Sequence, residues 1–152
     1  NSGNHGTHVA GTIGAVNNNA NRVSGVAGGN GDPNSGVSLM ICQVSNPTGS
    51  SFSSRAIKRA FIWSADNGAA IAQNSWGTLP PNSYNTEPME GIDYFIENGG
   101  GSVLDKGLVV FSAGNSNLNA KIYPAAYCSS TGSGKISATC KRSNVWIVRC
   151  HY

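Results

Sequence analysis

Short apolar runs alternating with amphipathic stretches constrain the fold of this chain more than any other feature. Val37–Val44 (VSLMICQV) is a nearly continuous apolar run, as expected of a strand covered on both faces. AAIAQNSWG, from Ala69 to Gly77, contains a short second strand, and Leu108–Asn115 (LVVFSAGN) a third, ending in a Gly-Asn turn. Between the runs the period changes. Across Ser53–Gly68, the residues Ala56, Ile57, Ala60, Phe61 and Ser64 fall at helical spacing, and Asn67-Gly68 is a C-terminal stop. Further on, Pro88 suits a first helical turn, Ile92, Phe95 and Ile96 form an i, i+3, i+4 stripe, and Asn98-Gly99 ends it. The order helix, strand, helix, strand, helix, strand implies an α/β fold. Its sheet is mostly parallel, with helices on both faces.

The first of those helices is the least ordinary. The chain opens NSGNHGTHVAGTIGAV, where Asn4 can cap a helix running from about His5 to Val16. Its glycines Gly6, Gly11 and Gly14 each cost about 1 kcal/mol of helix propensity relative to alanine. Tertiary packing must therefore support it, and the expectation is a buried helix whose small faces approach other backbones closely. His5 and His8 in such surroundings leave three readings open: a metal site, two structural histidines, or a catalytic base. The metal reading lacks both an HExxH motif and a nearby carboxylate.

Composition narrows the function classes. With 152 residues, 39% of them apolar and 11% charged, the chain is one globular domain by length, and its apolar residues cluster without forming a membrane-spanning run. A net charge of +3, with basic residues scattered apart from Lys141-Arg142, gives no nucleic-acid surface. Cys128, Cys140 and Cys150-His151 match no standard zinc spacing, and with Cys42 they read as thiols or disulfides. The dense motif beside Asn1, with no Met and no signal peptide before it, leads us to expect a mature or truncated piece.

Sites in open α/β sheets form at the carboxyl ends of strands, and NSWG (Asn74–Gly77) and SAGN (Ser112–Asn115) both fall there. HGTHVAGTIGA resembles the histidine motif of the subtilisin-like serine proteases, the subtilases. NSWG resembles their substrate-binding segment, and FSAGN the segment carrying their oxyanion asparagine. YPAAY (Tyr123–Tyr127) is similar to the Tyr-Pro-Ala stretch that follows, and order and approximate spacing agree over Asn1–Tyr127. The resemblance implies a subtilisin-like three-layer sandwich, incomplete here. It also implies an extracellular or cell-envelope serine endopeptidase as the parent protein, cutting polypeptide substrates through an acyl-enzyme, with no cofactor required, no nucleic acid and no membrane.

Residue by residue, the resemblance makes His5 the general base and His8 a structural histidine beside it. Asn115 donates its side-chain amide to the oxyanion, and Ser75, Trp76 and Gly77 pair with substrate backbone and wall the specificity pocket. Trp76 replaces a smaller aliphatic residue common in the family. Without the other motifs, Asn115 is a turn residue and Trp76 a core residue. The loop Asn17–Val23 resembles the calcium loop of some subtilases, which makes a structural Ca²⁺ an expectation to test. The family's acid precedes the histidine motif, and its Gly-Thr-Ser-x-Ala nucleophile motif does not occur in this sequence; Asp32, in DPNSG, and Ser133, in STGSGK, do not fit those roles. Residues 128–152 match the family poorly, with NVWIV the one strand-like run, and read as a divergent tail or a shifted reading frame. The expectation is a partial catalytic domain over 1–127 that is inactive alone, with a non-catalytic peptide-binding pseudoprotease as the alternative.

Overall fold

A computed structural model describes residues 4–46, 51–77, 80–112, 114–115, 120–127, 135–137 and 149–151. The elements are α1 (Asn4–Gly14), α2 (Ser54–Asp66), β1 (Ile71–Asn74), α3 (Thr86–Asn98), β2 (Leu108–Phe111), β3 (Lys135–Ser137) and β4 (Arg149–His151). They fall into two units, Asn1–Phe52 and Ser53–Tyr152.

In the second unit the helices begin and end where local chemistry dictates. Ser53 is extended and its side chain accepts from the Ala56 N–H, which caps α2. Asn85 accepts from the Glu87 N–H and caps α3, whose first turn holds the buried Pro88. Ile57, Phe61 and Ala65 of α2 form one buried stripe, and Met89, Ile92, Phe95 and Ile96 of α3 another. The two stripes face each other. Phe61 meets Phe95 edge to face at 6.1 Å and Phe111 of β2 at 6.5 Å, so both helices share the sheet face that carries Val109 and Phe111. Lys58–Glu90 is an ion pair across the crossing. The Tyr94 hydroxyl donates to Asp66 Oδ1 at 2.8 Å, a hydrogen bond that raises the phenol's pKa.

β1 and β2 pair in parallel, Ile71 with Leu108 through Asn74 with Phe111, and α3 is the crossover between them. The fold class is therefore α/β, with a partial parallel sheet. On the other sheet face Ile71 and Leu108 are exposed. β3 and β4 pair antiparallel, Lys135 with His151 and Ser137 with Arg149. The NVWIV run, Cys128 and Cys140 lie outside the described residues, and Cys150 sits within β4.

The first unit corrects two expectations. Helix α1 forms close to the expected span, but none of its residues is buried. The close backbone approach is made by the loop's glycines. A side chain at Gly25 or Gly28 would collide with the Ala15 backbone, whereas one at Gly6 or Gly11 would meet nothing within 4 Å. The loop finishes the helix: Val26 N–H donates to Thr12 O at 2.9 Å, Ala27 N–H to Ile13 O at 2.8 Å and Gly25 N–H to Ala15 O at 2.8 Å. Val37–Val44 is not a strand. The nearest pairing is a single bridge, Ser45 with Phe52, and Ile41 is 73% exposed. A strand needs a neighbour to complete its hydrogen bonds, and no other strand lies in this unit among the described residues. Leu39 lies instead against Gly14, its Cδ1 3.1 Å from where a Cβ would stand.

Gly91 marks the tightest helix contact, since a Cβ there would stand 2.8 Å from Lys58 Cα and 3.0 Å from Lys58 O. Gly91→Ala is expected to destabilise the second unit by about 1–3 kcal/mol, because α2 and α3 must separate. A fall in the urea midpoint followed by tryptophan fluorescence checks this, and an unchanged midpoint would refute it.

Candidate active site

Asn74 is a polar residue in an apolar setting. It is 8% exposed, and its Nδ2 donates to Ala72 O at 3.1 Å and to Val110 O at 3.3 Å. Its carbonyl accepts from the Ser112 N–H at 3.0 Å, which carries the pairing past the end of β2. The two strands are thus held together up to their carboxyl ends, and the segments that leave them start side by side. One is Ser75–Gly77 and the other leads through Gly114 to Asn115.

Each candidate substrate-binding residue is fixed differently. Ser75 Oγ accepts from Gln73 Nε2 at 2.7 Å. Trp76 is half-buried, with its ring edge-on to Phe111 at 5.5 Å. Gly77 is hemmed in from one side, because a Cβ there would stand 2.9 Å from Ile122 Cγ2. Behind it the YPAAY segment is anchored at several points. Asn82 N–H donates to Lys121 O at 2.8 Å, Asn82 Oδ1 accepts from Lys121 N–H at 3.2 Å, and Tyr127 donates to Asp93 Oδ2 at 2.7 Å. Tyr84 stacks edge to face on Tyr123 at 5.2 Å, and Pro124 is buried.

Asn115 follows Gly114, whose φ of +82° turns the chain sharply out of β2. It is exposed, and its side chain makes no hydrogen bond among the described residues. The structure therefore brings Ser75–Gly77 and Asn115 to one end of one sheet. His5 belongs to the other unit, exposed in the first turn of α1; His8 is also exposed, and its carbonyl accepts from Thr12 Oγ1 at 2.9 Å. Sequence reading assigned no role to Asn74 beyond membership of NSWG. The signal was its place at the end of an apolar run, where a buried amide must find carbonyl partners. The Tyr127–Asp93 anchor was equally unassigned.

The sequence of this chain matches the model of the subtilase family over residues 1–148. It belongs to the subtilase family. It is 34% identical over 131 residues to an alkaline protease of Alkalihalobacillus alcalophilus, covering 86% of this chain and 29% of that protein. Subtilisin Savinase of Lederbergia lenta is 33% identical over the same length, 86% of this chain and 41% of that protein. Fervidolysin of Fervidobacterium pennivorans is 32% identical over 82% of this chain and 16% of its own. The chain thus spans less than half the length of these curated subtilases. No solved structure gives a significant match.

Asn17–Val23 offers neutral oxygens from Asn17, Asn18, Asn19 and Asn21 and no carboxylate, and Asn19 Oδ1 already accepts from the Asn21 N–H at 2.9 Å. Ca²⁺ is held by carboxylate, amide and main-chain carbonyl oxygens together, and of these the loop supplies no carboxylate. Chelation is expected to leave thermal unfolding of this chain unchanged; a lower Tm in EDTA, restored by Ca²⁺, would show that the loop holds the ion. Asn74→Ala removes the bond to Val110 O and should cost about 1–2 kcal/mol, read as a lower denaturation midpoint of the second unit.

Proposed function

We propose that the protein to which this chain belongs is an extracellular serine endopeptidase, acting on polypeptides through an acyl-enzyme. One observation carries this reading in the structure. Asn74 ties the ends of β1 and β2 together, so the Ser75–Gly77 segment and the turn bearing Asn115 leave the sheet at one end. A peptide aligned along Ser75–Gly77 would have a carbonyl near that turn, where an amide donor can stabilise a tetrahedral oxyanion. The names of the similar subtilases, alkaline proteases among them, support the same activity.

His5 is the base in this reading. It takes the proton from the attacking hydroxyl and returns it to the leaving amine. His8 supports it, and the reaction requires no cofactor. Polypeptides are the partners. Among the described residues no helix is long and apolar enough to cross a membrane.

The chain as it stands carries the base, the oxyanion donor and part of the substrate cleft, but no Gly-Thr-Ser-x-Ala motif. We infer that it is inactive by itself. Incubated with a fluorophosphonate probe, it is expected to show no labelled serine and no hydrolysis of a peptide substrate. Labelling accompanied by hydrolysis would overturn the inference.

A further inference from the structure

The sequence contains three Asn-Gly pairs, Asn30-Gly31, Asn67-Gly68 and Asn98-Gly99. In such a pair the following main-chain nitrogen meets no Cβ as it approaches the asparagine side chain. All three asparagines are exposed, so solvent access does not distinguish them. Hydrogen bonding does. The Gly68 N–H donates to Ala65 O at 3.0 Å and the Gly99 N–H to Phe95 O at 2.8 Å, both as the end of a helix. The side-chain amides are tied as well, Asn67 Nδ2 to Trp63 O at 2.8 Å and Asn98 Nδ2 to Tyr94 O at 2.9 Å. Neither nitrogen can attack until its helix end opens.

Asn30-Gly31 differs at the main chain, although the Asn30 amide is tied too, its Nδ2 donating to Asp32 Oδ2 at 2.8 Å. Among the described residues the Gly31 N–H makes no hydrogen bond, and Gly31 has φ +95° in an exposed loop. Asn30 Oδ1 accepts from the Asp32 N–H at 3.1 Å. That N–H lies where negative charge develops when a nucleophile adds to Asn30 Cγ, and it polarises the same carbon beforehand. The Asn30 N–H donates to Ser35 Oγ at 3.2 Å, and Ser35 Oγ donates to Asp32 O at 2.7 Å, so the loop holds this arrangement.

We propose that Asn30 is a self-modification site, converting through a cyclic imide to aspartate and isoaspartate ahead of the other two pairs. Hydroxide takes the Gly31 N–H proton, and the nitrogen bonds to Asn30 Cγ. The Cγ–Nδ2 bond breaks, and the departing nitrogen takes a proton from water and leaves as ammonia. Water then opens either imide carbonyl. The net reaction is addition of one water and loss of one ammonia, with no oxidant or reductant. The product places a carboxylate beside Asp32 where Asn30 Nδ2 now donates to Asp32 Oδ2 at 2.8 Å. Attraction becomes repulsion, in the loop that continues from the segment finishing α1. The isoaspartyl form is also a substrate for enzymes that methylate that carboxyl group.

The test is timed incubation of the whole chain in mildly alkaline buffer at physiological temperature. Peptide mass spectrometry with a fragmentation method that separates aspartate from isoaspartate gives the readout. Breaking the main-chain hydrogen bond that the Gly31 N–H lacks, worth about 1 kcal/mol, should slow Asn67 and Asn98 about fivefold relative to Asn30. In urea the three rates should converge. Asn30→Gln should remove the early product and leave the other two rates unchanged. Equal rates in native buffer, or earlier conversion at Asn67 or Asn98, would overturn the proposal.

Discussion

The second unit depends on how closely α2 and α3 cross. With no side chain at Gly91, the α3 backbone rests on the Lys58 backbone, and the two apolar stripes meet around Phe61 and Phe95. Phe95 and Ile92 are fully buried as a result, and full burial of such side chains stabilises a fold by about 1.5–3 kcal/mol each. Phe111 extends the same cluster into β2, and Trp76 packs on Phe111 in turn. The candidate substrate segment is thus connected to the helix crossing through a continuous run of aromatic contacts.

What could be read from the sequence followed the range of the forces involved. Helices α2 and α3 matched their expected spans closely, because Ser53, Asn85 and the Asn-Gly stops act on neighbouring residues only. β1 and β2 were legible as apolar runs between helices, although both are shorter than those runs. Val37–Val44 has the same composition and is not a strand, because its hydrogen bonds depend on a partner that no local pattern specifies. The burial expected of α1 failed for a related reason. Small residues permit close packing and do not supply the surface that packs.

The family was legible as motifs and their order, and the same motifs nominate His5, Asn115 and Ser75–Gly77 as candidate site residues. The part that could not be read was the scaffolding. Asn74 bridges to Val110, and Tyr127 reaches Asp93, across many residues of chain. Neither partner announces itself locally, yet these bonds decide where the motif residues stand. A buried amide at a strand end and a tyrosine closing a Pro-Ala turn are the marks by which such anchors can be sought.

The way α1 is finished has a consequence for how this region tolerates change in length. The main-chain N–H groups of Gly25, Val26 and Ala27 bond the last helical carbonyls, and the Val37 N–H returns to Ala27 O at 3.0 Å. The stretch from Gly28 to Gly36 is therefore a closed excursion, with its neck fixed and its tip in solvent. Lengthening a loop whose ends are already pinned costs little, about 0.6 kcal/mol for each doubling. Residues added between Asp32 and Ser35 would enlarge the tip and leave the neck unchanged. The excursion is a natural place to graft a peptide without moving the histidine-bearing helix.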